Sequence, residues 1–273
     1  MQIAGAKILL TGATGGLGHA IARELAARGG SLILTGRKVD VLEPLAKEIA
    51  AKPVACDLSD RVAVGRLAEE NSDVDIMVAN AGLPGSGTFR DLSDEEVDRV
   101  LDVNLRAPIV MAHSLGQKMA DRGRGQIVFV SSVAGLVASP NTSMYNATKF
   151  GLRGFAHALR LDMESSGVGV SVVLPGFIRD AGMFADAQVE LPPGTRTKSP
   201  IDVARAVASC IEDNRGEMLV APFELRLGSK VGGFAPSISA LVQKTSIARS
   251  LNFWILPVEV RGSSAKTMRR GHL

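Results

Sequence analysis

Aromatic side chains are scarce in this chain: one Tyr, one Trp and nine Phe in 273 residues. Any phenol chemistry therefore rests on Tyr145 alone. Only two cysteines are present, Cys56 and Cys210, in apolar surroundings and without CxxC spacing. They read as small buried hydrophobes rather than a disulfide, which fits a reducing cytoplasm. The four histidines, His19, His113, His157 and His272, cluster with neither cysteines nor carboxylates, so no metal site is expected. No apolar run approaches the roughly eighteen residues of a membrane span. The stretch Met1–Leu10 lacks the basic start, long apolar run and small-residue cleavage site of a secretory signal, and none is expected. No repeat or low-complexity tract is visible. The body also lacks an excess of positive charge. Residues 244–273 hold six Lys/Arg against Glu259, a net +5, which leaves −2 for residues 1–243. The pI near 9.0 thus describes the tail, and with no basic stripe interleaved with aromatics a nucleic-acid partner is not expected.

What is present is ordinary globular composition, 46% hydrophobic and 22% charged, enough for one large α/β domain over 1–243 followed by a loosely held basic tail over 244–273. From residue 6 to about 220, short apolar β-branched runs alternate with amphipathic stretches, the pattern of βαβ units around a parallel sheet. Strands are predicted at 7–10, 32–35, 53–56, 76–79, 126–130, 168–174 and 218–220. Helices are predicted at 17–28, 39–51, 61–70, 94–102, 105–122, 143–165 and 201–213, with one or two more in 222–243. Several strands are apolar on both faces, so helices should cover a doubly wound, mainly parallel seven-stranded sheet on both sides.

The first strand runs into Thr11-Gly12-Ala13-Thr14-Gly15-Gly16-Leu17-Gly18. A glycine-rich turn opening a helix lets backbone N–H groups approach a pyrophosphate at the helix N-terminus. After the second strand, dinucleotide-binding folds commonly place an acid for the ribose 2′-hydroxyl, whereas this chain has Arg37-Lys38. These cations either solvate a helix start or hold a 2′-phosphate. The helix dipole disfavours them without an anion, so NADP(H) is favoured over NAD(H). Asp57-Leu58, past the third strand, offers an acceptor to the adenine amine, although Asp57 equally suits an N-cap. Further on, Lys149 follows Tyr145 by one helical turn, and Ser132 precedes it by thirteen residues, a spacing that suits a hydride-transfer site built on a phenol acid/base. Free phenol titrates near about 10 and needs a nearby cation to act as a base, which the i, i+4 ammonium would supply.

These residues together resemble the short-chain dehydrogenase/reductase family in its short, single-domain branch. The resemblance covers residue 6 to about 220: Thr11-Gly-x-x-x-Gly16-x-Gly18, Asn80-Ala81-Gly82, Asn104, Ser132, Tyr145-x-x-x-Lys149 and Pro175-Gly176. It implies a Rossmann-like fold with Asn80-Ala81-Gly82 lining the cofactor and Pro175-Gly176-Phe177-Ile178 passing beneath the nicotinamide. It selects Ser132 over Ser131, and assigns Asn104 a water leading from Lys149 to solvent. Two departures stand out. Ala79 replaces the first Asn of the usual Asn-Asn-Ala-Gly, and Asp180 stands where a Thr often bonds the nicotinamide carboxamide. Gly15 and Gly16 together also suit the turn of the longer epimerase-like branch, against which length and the missing acid argue.

The implied mechanism is reversible hydride transfer between the nicotinamide and a carbonyl or secondary alcohol. Tyr145 is the acid/base, Lys149 lowers the phenol pKa, Ser132 stabilises charge on oxygen and Asn104 orders the relay water. The competing reading is a catalytically silent NADP(H)-sensing protein of the same fold. Residues 179–200 are expected to form a substrate lid, which with Leu136, Phe177, Met183 and Phe184 suggests a small apolar ketone or alcohol. In the family, the helices at 105–122 and 143–165 pair with their copies. The small residues Ala147, Gly151, Gly154 and Ala158 permit that approach, so a homodimer is expected, with a homotetramer as the alternative. Phe253-Trp254-Ile255-Leu256 among basic residues raises surface attachment of the tail, against which Pro257 argues.

Overall fold

A computed structural model describes residues 1–85, 89–181 and 196–234. The boundary expected near 243, the tail 244–273 and most of the expected lid, including Met183 and Phe184, lie outside the described residues.

Seven strands form one parallel sheet: β1 (Lys7–Thr11), β2 (Ser31–Gly36), β3 (Lys52–Ala55), β4 (Ile76–Ala79), β5 (Gly125–Val130), β6 (Val168–Pro175) and β7 (Glu217–Val220). Their order is β3-β2-β1-β4-β5-β6-β7. The direction of travel reverses between β3 and β4, so the connections after β1 and β4 part on opposite faces and leave a crevice at their carboxyl ends.

Alternation along each strand separates two cores. Ile8, Leu10 and Leu34 face α1 (Gly16–Ala27), α2 (Val39–Glu48) and α7 (Pro200–Glu212), through Ile21, Leu25, Leu42, Val203 and Val207. Leu9, Met77, Ile127 and Phe129 face α3 (Arg61–Glu70), α5 (Ala107–Asp121) and α6 (Ser143–Asp162), through Val64, Leu67, Met111, Leu115 and Leu152. Phe129 meets Phe155 edge-to-face at 5.7 Å. A satellite cluster of Val133, Phe177, Ala221 and Leu225 seats the start of α8 (Phe223–Phe234).

Three local expectations change. Helix α2 stops at Glu48 rather than continuing to 51, because Ala50 turns to φ +52° to launch β3. The cap of α3 is Asp60, which accepts from Val62 N and Ala63 N at 2.9 and 3.1 Å, and not Asp57. The helices expected at 94–102 and 105–122 form one path: α4 (Asp94–Leu101) passes through a π-helical turn at Asp102–Arg106 into α5. Asn104 lies in that turn, where the extra residue per turn directs its amide inward without breaking the helix.

Candidate active site

The turn after β1 is built around missing side chains. Gly12 adopts φ +69°, and a Cβ there would lie 2.6 Å from Ala81 Cα. A Cβ on Gly18 would run into the Gly12 carbonyl oxygen. Asn80 locks this turn from the next strand over: its Nδ2 donates to Thr11 O at 3.1 Å and Gly12 O at 3.2 Å, while Thr11 Oγ1 accepts from Asn80 N and Ala81 N, both at 3.1 Å. Helix α1 has no side-chain cap, in contrast to α3, α4 and α7, which Asp60, Ser93 and Ser199 cap. Around Gly15 a Cβ would find only Gly12 O, at 3.8 Å. An uncapped helix start behind open space is the environment a pyrophosphate needs, so these residues fit a dinucleotide.

One cleft runs from this turn across the crevice. Gly12, Thr14, Gly15, Gly16, Leu17 and Gly18 line its centre, Arg37, Asp57 and Leu58 one end, and Asn80, Ala81 and Gly82 its floor. Ser132, Tyr145, Lys149, Pro175, Gly176 and Ile178 line the other end. At the first end, Asp57 Oδ1 accepts from Ser59 N and Oγ at 3.0 and 2.7 Å, and its other oxygen stands 3.7 Å from Arg99. Burial opposes ionisation of Asp57, but the Ser59 hydrogen bonds and the charges of Arg99 and Arg37 outweigh it and hold the carboxyl below its usual range. Among the described residues no carboxylate forms an ion pair with the exposed Arg37, and Lys38 starts α2 without a side-chain cap. The buried Thr35 hydroxyl at this end has no hydrogen-bond partner. Burial, then Asp57 and Asp60, push the Cys56 thiol up to about 11, so it remains protonated and unreactive at neutral pH.

At the other end, β5 delivers two serines with different fates. Ser131 Oγ donates to Lys149 O at 3.0 Å and pins the strand end to α6. Ser132 Oγ accepts from Ala134 N at 3.1 Å and donates to Pro175 O at 3.5 Å, and its hydroxyl acts on the Tyr145 phenol, working to lower its pKa. Of the two serines, Ser132 therefore meets the tyrosine. Tyr145 is held through its backbone as well, since its N–H donates to Gly85 O at 3.3 Å and its carbonyl accepts from Thr148 Oγ1 at 2.9 Å. The Lys149 ammonium stands 5.5 Å from the centre of the tyrosine ring and donates to Val130 O at 3.2 Å.

The phenol pKa differs from the sequence expectation. Burial raises it to about 12, with the Ser132 hydroxyl working the other way, and burial lowers Lys149 to about 8. Desolvation penalises both charged forms at once, so in the protein alone the phenol is a well-protonated acid rather than a primed base.

Asn104 does not line the cleft but stands behind it. Its Oδ1 accepts from Leu83 N at 2.7 Å, and its Nδ2 donates to Leu83 O at 2.9 Å and Thr148 Oγ1 at 3.3 Å. A Cβ on Gly82 would sit 3.5 Å from Lys149 Nζ and 3.7 Å from Asn104 Oδ1, so this glycine leaves the space between them clear. The amide thus ties the β4 loop to the tyrosine's helix.

Beyond β6, Gly176 N donates to Val220 O at 3.0 Å, fixing the Pro175-Gly176 turn. Asp180 takes φ +67° and is exposed beside Arg179, 3.4 Å away, outside the cleft lining. Ala181 lines the cleft instead, close enough that a Cβ on Gly16 would lie 2.6 Å from its own. Sequence reasoning missed Thr35, Leu83, Arg99 and Ala181. Leu83 was foreshadowed by its adjacency to Asn80-Ala81-Gly82; Arg99 carries no local signal, because only folding brings α4 beside the end of β3. Among the described residues no group of three His, Cys, Asp or Glu is placed to hold a metal ion, and no helix is long and apolar enough to cross a membrane.

Comparison with known proteins agrees with this geometry. The chain is 38% identical over 219 residues to nodulation protein G of Rhizobium sp. (strain N33), covering 76% of this chain and 89% of that one. It is 33% identical over 222 residues to the 3-oxoacyl-[acyl-carrier-protein] reductase FabG of Rickettsia conorii, covering 78% and 92%. A metagenomic short-chain oxidoreductase solved in complex with NADP superposes with a TM-score of 0.68 at 30% identity, over 81% of this chain and 99% of that one. The family profile described as short chain dehydrogenase matches residues 6–190, and the chain belongs to that family of oxidoreductases.

Proposed function

We propose that this protein is an NADP(H)-dependent reductase of a small apolar ketone, running reversibly as a secondary-alcohol dehydrogenase. The observation that carries this reading is the Tyr145 phenol, with Ser132 and the Lys149 ammonium beside it, at one end of a cleft whose other end carries Arg37. The nicotinamide, when bound, supplies or accepts the hydride at the substrate carbon. Tyr145, protonated at neutral pH, donates its proton to the carbonyl oxygen as the C–O double bond becomes single. Ser132 donates a hydrogen bond to that oxygen and stabilises the charge gathering on it. Lys149 stabilises the phenolate left behind and would hold the cofactor ribose, and Asn104, across the space that Gly82 leaves clear, would order the water that reprotonates it. Arg37 would hold the 2′-phosphate, Asp57 and Leu58 the adenine and Pro175, Gly176 and Ile178 the nicotinamide, with Asn80-Ala81-Gly82 lining the cofactor. The FabG relative adds 3-oxoacyl thioesters to the candidates.

The test is NADPH consumption by the purified full chain against a panel of ketones and 3-oxoacyl thioesters. Turnover of at least one is expected; tight NADPH binding with no turnover of any would leave a silent cofactor-binding protein in its place.

The same reading makes the protein a cytoplasmic homodimer with one domain over 1–243 and an appended basic tail. Two free, buried cysteines suit a reducing compartment. Ala147, Phe150, Gly154 and Ala158 form an exposed strip on α6, and Leu161 is 73% exposed. Gly151 already packs on its own chain, where a Cβ would meet Leu105, so Gly154, with open space around it, is the position of close approach. Light scattering should give a dimer for the full chain; a monomer would reject the α6 interface.

A further inference from the structure

We infer that Asn146, the residue after the tyrosine, is a positioning residue that sets the orientation of the Ser132 hydroxyl beside the Tyr145 phenol. This rests on the reading of Tyr145 and Ser132 as the reacting pair. Asn146 is buried and its amide is fully used. Nδ2 donates to Ala134 O at 2.7 Å and Val137 O at 3.1 Å, while Oδ1 accepts from Ser139 N at 3.1 Å and Thr142 Oγ1 at 2.6 Å. These four partners span the connection from Ser132 to α6. A direct chain of bonds results: Asn146 holds the carbonyl of Ala134, and the N–H of Ala134 holds Ser132 Oγ at 3.1 Å. The serine hydroxyl is therefore oriented by a peptide that the residue next to the tyrosine positions. The loop also lies directly on the helix, since a Cβ on Gly135 would stand 2.7 Å from Lys149 O, and Ser131 Oγ bonds the same carbonyl. A short side chain with two donors and two acceptor lone pairs is what the four partners require.

The consequence concerns the phenol, because the Ser132 hydroxyl is the influence that opposes the rise of its pKa. Loss of Asn146 should loosen Ser132 and act on Tyr145 only through it. The chain has a single tyrosine, so carbon-13 labelling at tyrosine Cζ gives one resonance that reports this influence without any need for turnover. In the full chain, Ser132→Ala should move that resonance, Asn146→Ala should move it in the same direction, and the double variant should go no further than Ser132→Ala alone. With a substrate, Asn146→Ala should lower kcat by about ten- to a hundredfold, as misplacement of a reacting group does, with the NADPH Kd unchanged and the alkaline limb of the kcat profile displaced upward. Additive effects in the double variant, or an unmoved resonance in Asn146→Ala, would overturn the proposal. An unmoved resonance in Ser132→Ala would instead remove the Ser132–Tyr145 pair and the functional reading with it. Should Asn146→Ala not fold, Thr142→Val removes one of the four bonds without uncapping α6 and should give the same signature at smaller amplitude; no response there counts against the inference.

Discussion

The two ends of the cleft are made by opposite means. The turn after β1 works by what is missing, with Gly12 and Gly18 at positions where a Cβ would strike backbone and α1 left uncapped. The end at β5 and α6 works by what is buried, with Ser132 and Lys149 buried, Tyr145 half-buried and both titratable groups displaced from their ordinary pKa values. The first arrangement offers backbone dipoles to a ligand and tolerates little bulk. The second tunes protons at a cost in stability, because desolvation disfavours a charged lysine. Substitutions at one end should therefore impair binding, and at the other should impair turnover.

The widest separation is expected from Tyr145→Phe, which should lower kcat by about 10²- to 10⁴-fold, the range of a lost general acid, with an NADPH Kd close to wild type. Retained turnover above a few per cent would show that the buried end does not work by proton donation. Gly18→Ala should do the reverse at the open end. The Gly12 carbonyl cannot step aside, so the turn should distort at a cost of about 1–3 kcal/mol or more, read as a lower Tm and weakened binding of either cofactor.

Lys149→Met sharpens the comparison by raising stability while lowering turnover. The folded pKa is lowered from 10.5 to about 8, so the unfolded chain binds this proton more readily. The penalty is therefore fully present below about pH 8 and fades as pH rises towards 10.5. Removing the charge should increase stability at pH 7 by at most roughly 3 kcal/mol, less what the unmet Val130 carbonyl costs, and the gain should shrink at alkaline pH. A Tm that falls equally at every pH would show that the ammonium is not penalised.

Arg37→Leu tests the far side of the binding end. A charge-assisted contact to a 2′-phosphate should be worth about 1.5–3 kcal/mol, lost from NADPH binding and not from NADH binding in titrations of each. Equal losses for both would make Arg37 a structural residue.

Much of this was legible before folding. Alternating apolar runs announced every strand of the sheet, and Ile76–Ala79 and Arg61–Glu70 fall where the periodicity put them. Gly12, Arg37, Asp57, Asn80, Tyr145, Lys149 and Ile178 line one cleft, because a glycine turn, a strand-end asparagine and a tyrosine one turn before a lysine are local patterns with local causes. The α3 cap was misassigned because Asp57 and Asp60 are both good caps, and only the path out of β3 chooses between them.

By itself, then, the sequence determined the periodicities, the glycines of the turn after β1 and the chemical identity of the side chains at the cleft. The tertiary structure decided what depends on proximity between distant segments and on exclusion of water. It sends Ser131 into the helix and Ser132 to the phenol, closes Arg99 against Asp57, and ties Asn104 to Leu83 and Asn146 to Ala134. It also reverses the expected displacement of the phenol pKa. A lysine one turn away can be read from spacing, but burial belongs to the whole fold, and here desolvation of the phenolate outweighs the Ser132 hydroxyl that opposes it.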